Sequence, residues 1–357
     1  MTPATGGPES SEFEALERWL EQQLPGRGPF TLALMTGGAS PRRFCRVRLG
    51  SGESVVVMLV PEHTPDVAKA RELGRRWPFL EIRELLQTKG VRVPELLAED
   101  TARGLLLVED LGATLAEHLA GNPAARRSLY RLAVRDLERA QRALEPLPDD
   151  SIIRLRAFDH ALLLWEVRHF REWGLEARGI TLTASQAERF ERAAEHLAST
   201  IAALPRGFVH RDYQSRNLMV CGDGASAALG WIDFQDALLG PRAYDLVALL
   251  CDSYQPFERT FVDGCLDEFA SARGLDAAGR AALGREFDLI SVQRKLKDAG
   301  RFVFIERNKG DPSFLGFIAP TLGIVRQALA RLDDDAALRD LAALLDQLIP
   351  GGTGAPS

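Results

Sequence analysis

One stretch restricts the possible folds more than any other. Within residues 207–240 the run FVHRDYQSRNLMV is followed by ALGWIDFQDALLG, and strand-sized apolar flanks enclose a dense polar set. On either side the chain is rich in Ala, Leu, Arg and Glu at helical spacing, at about 114–145, 158–177, 184–203 and 243–348. A short strand-and-loop island is thus set into a helical body. Such an arrangement holds polar side chains at strand ends, against an otherwise apolar frame.

The first third has a different texture. Phe13, Leu16, Leu20 and Leu24 recur at helical spacing and predict a helix over 12–24, ended by Pro25-Gly26. Three strand-like runs follow at 30–35, 43–49 and 54–60, separated by TGGASPR and GSGE, both turn chemistry. A helix is predicted at PFLEIRELLQTKG, then strands at ELLAED and GLLLVED. The fold class is therefore α+β: a small antiparallel-sheet N-lobe over 12–112 and a larger, mainly helical C-lobe over 113–350. Residues 1–11 and 351–357 are Gly/Pro/Ser/Thr-rich and are predicted to be disordered. A junction near Glu109–Gly112 predicts a cleft suited to a small molecule.

Composition narrows the function. The chain has 357 residues, 46% hydrophobic and 26% charged, which suits a soluble protein and not a disordered or fibrous one. Its net charge of −6 argues against a broad nucleic-acid footprint, though one basic pocket stays open. Cys45, Cys221, Cys251 and Cys265 form no CxxC pair and are read as reduced thiols. The start has no basic region followed by an apolar one, and no apolar run approaches 18 residues. A cytoplasmic protein without membrane or nucleic-acid partners is expected.

The island carries the chemistry. His210, Asp212 and Asn217 form an H-x-D-x-x-x-x-N run, and Asp233 follows Asn217 by 16 residues in an apolar setting. This pattern suits phosphoryl transfer. One carboxylate, Asp212, accepts or orients the proton of an attacking hydroxyl. The Asn217 amide oxygen and the Asp233 carboxylate supply hard oxygens for magnesium against the phosphates of ATP. A lone HxD is more often a structural hydrogen bond; the complete set is much rarer by chance. His210 and Asp245 are read as structural supports of the loop. No GxxxxGK[ST] run occurs, so a P-loop NTPase is not supported.

HRDYQSRNLM, IDFQDA and GPRAYDL together resemble the aminoglycoside-phosphotransferase superfamily of protein-kinase-like folds. Within it, GGASPRRFCRV, LLAEDTARGLLLVEDLG, FDHALLLWEVRHFREW and QRKLKDAGRF are most similar to the anomeric N-acetylmuramate/N-acetylglucosamine kinases of cell-wall recycling. The resemblance touches most of residues 35–305. It implies Asp212 as catalytic base, Asn217 and Asp233 as magnesium ligands, and Gly37, Gly38, Ala39 and Ser40 as the loop over the ATP phosphates. Taken alone, that loop is also simply a hairpin turn. Adenine would lie against Glu109, Asp110 and Leu111. The implied product is a sugar 1-phosphate, which a uridylyltransferase would consume; no stable protein partner is implied.

The match has a departure. Met58 stands where kinase-like folds often carry a lysine, which agrees with the subfamily, but Leu59-Val60-Pro61 replaces the subfamily's Asp-Ala-Pro and its carboxylate. Arg42 or Arg43 could meet phosphate charge instead, or both could be solvated strand-edge residues. Glu81 and Glu84 read as a solvated helix face. Tyr213, Gln214, Arg216, Gln235 and Asp236 are candidate sugar contacts, and Arg294 and Lys297 candidates for an acidic substituent. Trp165 and Trp173 are expected in the core, and His160 and His169 at the surface. Two rivals stay open: a kinase of the same fold for another hydroxylated acceptor (aminoglycoside, choline or other sugar), and a non-catalytic nucleotide-binding pseudokinase.

Overall fold

The computed structural model describes residues 8–35, 41–222, 227–253 and 256–350. The chain divides into two compact units, Met1–Ala113 with Met219–Ile232, and Thr114–Leu218 with Asp233–Ser357.

In the first unit, β1 (Thr31–Leu34), β2 (Arg43–Arg48), β3 (Ser54–Leu59), β4 (Leu96–Asp100) and β5 (Leu105–Glu109) form one antiparallel sheet, ordered β1-β2-β3-β5-β4. Period-two alternation sets its register. Cys45 lies opposite Val57, and Val57 opposite Leu107, so the three line one face. Leu16, Trp19 and Leu20 of α1 (Pro8–Gln23) pack on that face, joined by Leu24 just beyond the helix. Each such leucine contributes about 2 kcal/mol of burial. The opposite face carries Arg46, Val56, Met58, Leu106 and Val108, again in register. Strand β3 is buried on both faces through Val55–Met58, which is why it reads as an unbroken apolar run.

Two helices follow β3. The second, α3 (Pro78–Thr88), sits where the apolar spacing predicts it. The first, α2 (Pro65–Glu72), was not anticipated, because only Val67 and Ala70 are buried and its apolar stripe is too thin to read. A two-stranded ribbon, β7 (Leu218–Cys221) with β8 (Ala228–Trp231), belongs to this unit from Met219 onward.

The second unit is mainly helical. The predicted helix over 114–145 is two: α4 (Leu115–Gly121), opened by a capping box of Thr114 with Glu117, and α5 (Arg126–Ala143), separated at Asn122-Pro123. Then come α6 (His160–His169) and α7 (Ala184–Ala202). The predicted helix over 158–177 changes pitch midway. After α6, residues Phe170–Leu175 form a π-helical turn, where Gly174 leaves room for the Phe170 ring. A β-carbon at Gly174 would come within 2.3 Å of that ring.

Strand β6 (Arg206–Val209) pairs with β9 (Leu238–Pro241), and α8 (Tyr244–Leu250) and α9 (Arg259–Ala272) lead to α10 (Ala277–Lys309). This 33-residue helix is buried almost continuously from Glu286 to Leu296. Finally α11 (Ile318–Ala330) packs along it, followed by α12 (Ala336–Leu348). The stretch Pro312–Ala330 has a mean hydropathy of 1.3 and is long and apolar enough to cross a membrane by composition. That corrects the expectation that no such run exists. Within this fold Thr321, Leu322, Val325, Ala328 and Leu329 are buried, as in an amphipathic helix seated on a core.

Candidate active site

The loop from His210 to Asn217 connects β6 and β7. Its start is pinned by the β6–β9 ribbon, in which Val209 faces Leu238. Two non-glycine residues have positive φ among the described residues, Arg211 at 80° and Asp233 at 62°. Backbone of this kind costs about 1–3 kcal/mol per residue and persists only where surrounding contacts hold it.

Asp245, fully buried at the start of α8, supplies such contacts. Its carboxylate accepts from the backbone N–H of His210 at 2.7 Å and of Arg211 at 3.0 Å. Burial pushes its pKa up to about 7, against the lowering effect of those two N–H groups. Arg294, from the buried run of α10, holds the other side of the loop. Its Nη1 donates to the Arg211 carbonyl at 2.9 Å, and its Nη2 lies 3.4 Å from Asp212 Oδ1. The guanidinium sits 4.9 Å from the centre of the Tyr244 ring.

The Asp212 side chain is 40% exposed, so it is held and still accessible. Desolvation works against its ionised form, but the charges of Arg294, Lys297 and Arg211 outweigh it and hold the pKa below the usual carboxylate value. Beneath lies Asp298, ringed by Lys297 and Lys295 at 3.1 Å and by Arg294 at 4.0 Å. Burial opposes its charge, yet these three cations drive its pKa far below the ordinary range. Asp298 was missed in the sequence, although its spacing from Arg294 and Lys295 is that of helix-face partners.

Asn217 and Asp233 meet. Asn217 Nδ2 donates to the Asp212 carbonyl at 2.9 Å and lies 3.5 Å from Asp233 Oδ2. The other Asp233 oxygen accepts from Gln235 Nε2 at 2.7 Å. No group of three His, Cys, Asp or Glu side chains among the described residues could hold a metal by itself. What is present is the Asn217 side chain, its nitrogen engaged and its amide oxygen the remaining ligand, next to the Asp233 carboxylate, a hard-oxygen set that fits magnesium bound largely by phosphate and water.

Several candidate contacts need correction. Tyr213 is fully buried and its hydroxyl donates to the Ala133 carbonyl at 2.9 Å, so it is a core residue and not a substrate contact. Gln235 is buried and engaged with Asp233. Arg294 is turned inward onto the loop and Asp212, leaving it to position those groups and not to face a ligand. Asp236 is half-exposed and paired with Arg156 at 3.2 Å, while Gln214 is half-buried and Arg216 exposed.

In the first unit, Arg43 lies on the sheet face that α1 covers and pairs with Glu12, away from the face that carries Met58. Arg42 is buried against Asp66, Glu81 pairs with Arg75, and Glu84 with Arg76. Glu109 is bound by Arg92 and accepts from the Glu95 N–H. Asp110 accepts from Ser54, Arg46 and the Gly112 N–H. The Glu109 and Asp110 side chains are thus committed to the protein, and the half-buried Leu111 follows them. Gly37, Gly38, Ala39 and Ser40 lie outside the described residues.

Two further expectations fail in the second unit. Trp165 is 58% exposed, and His169 is buried between it, Trp173 and Phe304. His160, by contrast, is half-exposed and paired with Glu195.

Residues 31–284 match the phosphotransferase enzyme family. The chain belongs to that family. Its curated relatives include the N-acetylmuramate/N-acetylglucosamine kinase of Pseudomonas putida, 34% identical over 93% of this chain and 96% of the relative. The Pseudomonas aeruginosa protein of the same name is 32% identical over 95% and 98%. Among solved structures, the choline kinase of Streptococcus pneumoniae aligns over 91% of this chain and all of its own, with TM-score 0.59 and 13% identity. An aminoglycoside phosphotransferase in complex with gentamicin aligns over 95% and 99%, with TM-score 0.56 and 14% identity. At these identities the structural likeness establishes the protein-kinase-like fold alone. Family membership makes the chain a phosphotransferase.

Proposed function

We propose that this phosphotransferase is an ATP- and magnesium-dependent kinase acting in the cytoplasm on N-acetylmuramate and N-acetylglucosamine. It would phosphorylate the anomeric hydroxyl and release the sugar 1-phosphate for peptidoglycan recycling. The observation that carries the reading is the Asp212, Asn217 and Asp233 constellation in a chain about one-third identical, across nearly its whole length, to kinases named for these sugars.

Asp212 is ionised, accessible and fixed by Arg294, as a group that accepts the acceptor's hydroxyl proton must be. The amide oxygen of Asn217 and the Asp233 carboxylate would hold magnesium. When bound, that ion offsets charge on the transferring phosphoryl group. Gln235 keeps the Asp233 carboxylate in one orientation. The N–H groups that hold Asp245, together with the Arg294 contact, fix the loop before substrate arrives.

Phosphorus NMR of the protein with magnesium, ATP and either sugar tests this. An anomeric phosphate signal is expected, slowed about 10²–10⁴-fold in Asp212→Asn. No sugar phosphate, with ADP released in the presence of choline or an aminoglycoside, would remove the amino-sugar assignment and leave the phosphotransferase.

A further inference from the structure

On α10, the helix face that begins at Arg294 continues past the catalytic loop. Lys297 stands one turn beyond Arg294, about 4.5 Å along the axis, and Arg301 two turns beyond, about 10.5 Å. The charge of Lys297 reaches Asp212, and the charges of Lys297 and Arg301 both reach His169. Lys297 is 16% exposed and touches Asp298 at 3.1 Å. Arg301 is exposed and makes no ion pair among the described residues.

Facing these cations is an aromatic wall. The His169 ring centre lies 5.6 Å from that of Trp165, 6.2 Å from Trp173 and 5.7 Å from Phe304. Burial, then the nearby charges of Arg301 and Lys297, hold the His169 pKa below its ordinary value, so the wall is uncharged. The wall is built by two local departures from regular packing. The π-helical turn begins directly after His169 and contains Trp173. Gly300 lets α10 approach it, since a β-carbon there would lie 2.9 Å from the His169 carbonyl. Such turns recur at functional sites. Trp165, 58% exposed, gives the wall an open face.

The two proposed acceptors differ in one feature. N-acetylmuramate carries a lactyl ether, hence a carboxylate, on the oxygen of C3, two ring carbons from its anomeric carbon. We infer that Lys297 and Arg301 bind this carboxylate while the exposed Trp165 face packs against the sugar ring. A carboxylate set off from the reacting oxygen by two ring carbons and a lactyl ether arm meets cations one to two helical turns from the residue that holds Asp212. Arginine's fork suits bidentate pairing with it. N-acetylglucosamine uses the ring contact alone. The inference rests on the amino-sugar kinase reading and adds to it which residues tell the two sugars apart.

The test is kcat/KM for both sugars in wild type, Arg301→Ala, Arg301→Lys, Lys297→Met and Trp165→Ala. The ratio of N-acetylmuramate to N-acetylglucosamine efficiency should fall about 20-fold in Arg301→Ala and in Lys297→Met, and recover in part in Arg301→Lys. Trp165→Ala should raise KM for both sugars and leave the ratio in place. Wild type turning over neither sugar defeats the kinase reading and this inference with it. Wild type turning over both, with the ratio within about twofold in Arg301→Ala and Lys297→Met, defeats this inference alone. So does wild type that accepts only N-acetylglucosamine.

Discussion

Arg294 holds the residue before Asp212 and Asp212 itself with one side chain, Nη1 on the Arg211 carbonyl and Nη2 3.4 Å from Asp212 Oδ1. A single planar fork thus fixes both the backbone and the charge of the candidate base. Lysine at this position could make one contact but not both. Arg294→Lys is expected to lower kcat about 10–100-fold, with little change in KM for ATP. Steady-state kinetics with unchanged kcat would show that the fork does not position Asp212.

Asp233 accepts from Gln235 through one oxygen and faces Asn217 with the other. Asp233→Asn removes the only carboxylate of the proposed magnesium pair and should raise the magnesium needed for half-maximal rate while cutting kcat more than about 100-fold. Gln235→Leu leaves the ligand and frees its orientation, so about 10-fold weaker magnesium affinity is expected. Magnesium titration of both variants separates holding the ion from orienting its ligand.

Asp245 gives a pH signature. Its folded-state pKa, about 7, lies above the unfolded value of 3.8, so its protonated form favours folding. The contribution is whole below about pH 4 and is lost as pH rises through 7. Thermal unfolding of wild type and Asp245→Asn between those limits should show the wild-type advantage shrinking as pH increases, then levelling above about 8. A gap independent of pH would mean that Asp245 is charged throughout.

Gly300 and Gly284 share α10 and should respond in opposite directions. A β-carbon at Gly300 meets the backbone of His169 at 2.9 Å, whereas one at Gly284 meets nothing within 4 Å. Gly300→Ala should destabilise by about 1–3 kcal/mol and Gly284→Ala stabilise by about 0.5–1 kcal/mol. Chemical denaturation of the pair reads this directly.

The antiparallel sheet was legible because β2, β3 and β5 alternate or run continuously apolar between turn residues. The grouping of Asp212, Asn217 and Asp233 was legible because strand ends fix their spacing. What escaped was tertiary. Arg294 looks like any basic residue of a helix, and only the fold reveals that it is buried against the loop. Tyr213 sits beside Asp212 in sequence, yet strand-end geometry turns its ring into the core. In the Trp165–His169–Trp173 cluster, Trp165 and His169 stand four apart on the regular helix α6, where the Trp165 ring lies 5.6 Å from that of His169 and takes the solvent exposure. Periodicity alone cannot show which of two neighbours on a helix face covers the other.

The left-handed backbone at Arg211 has a thermal consequence. Holding it costs energy that the fold has already met through Asp245 and Arg294, before any ligand arrives. Because those anchors sit on α8 and the buried run of α10, the loop cannot relax while the helical core remains intact. Heat inactivation should therefore coincide with cooperative melting of that core, leaving no temperature interval in which the protein is folded but its catalytic loop is lost.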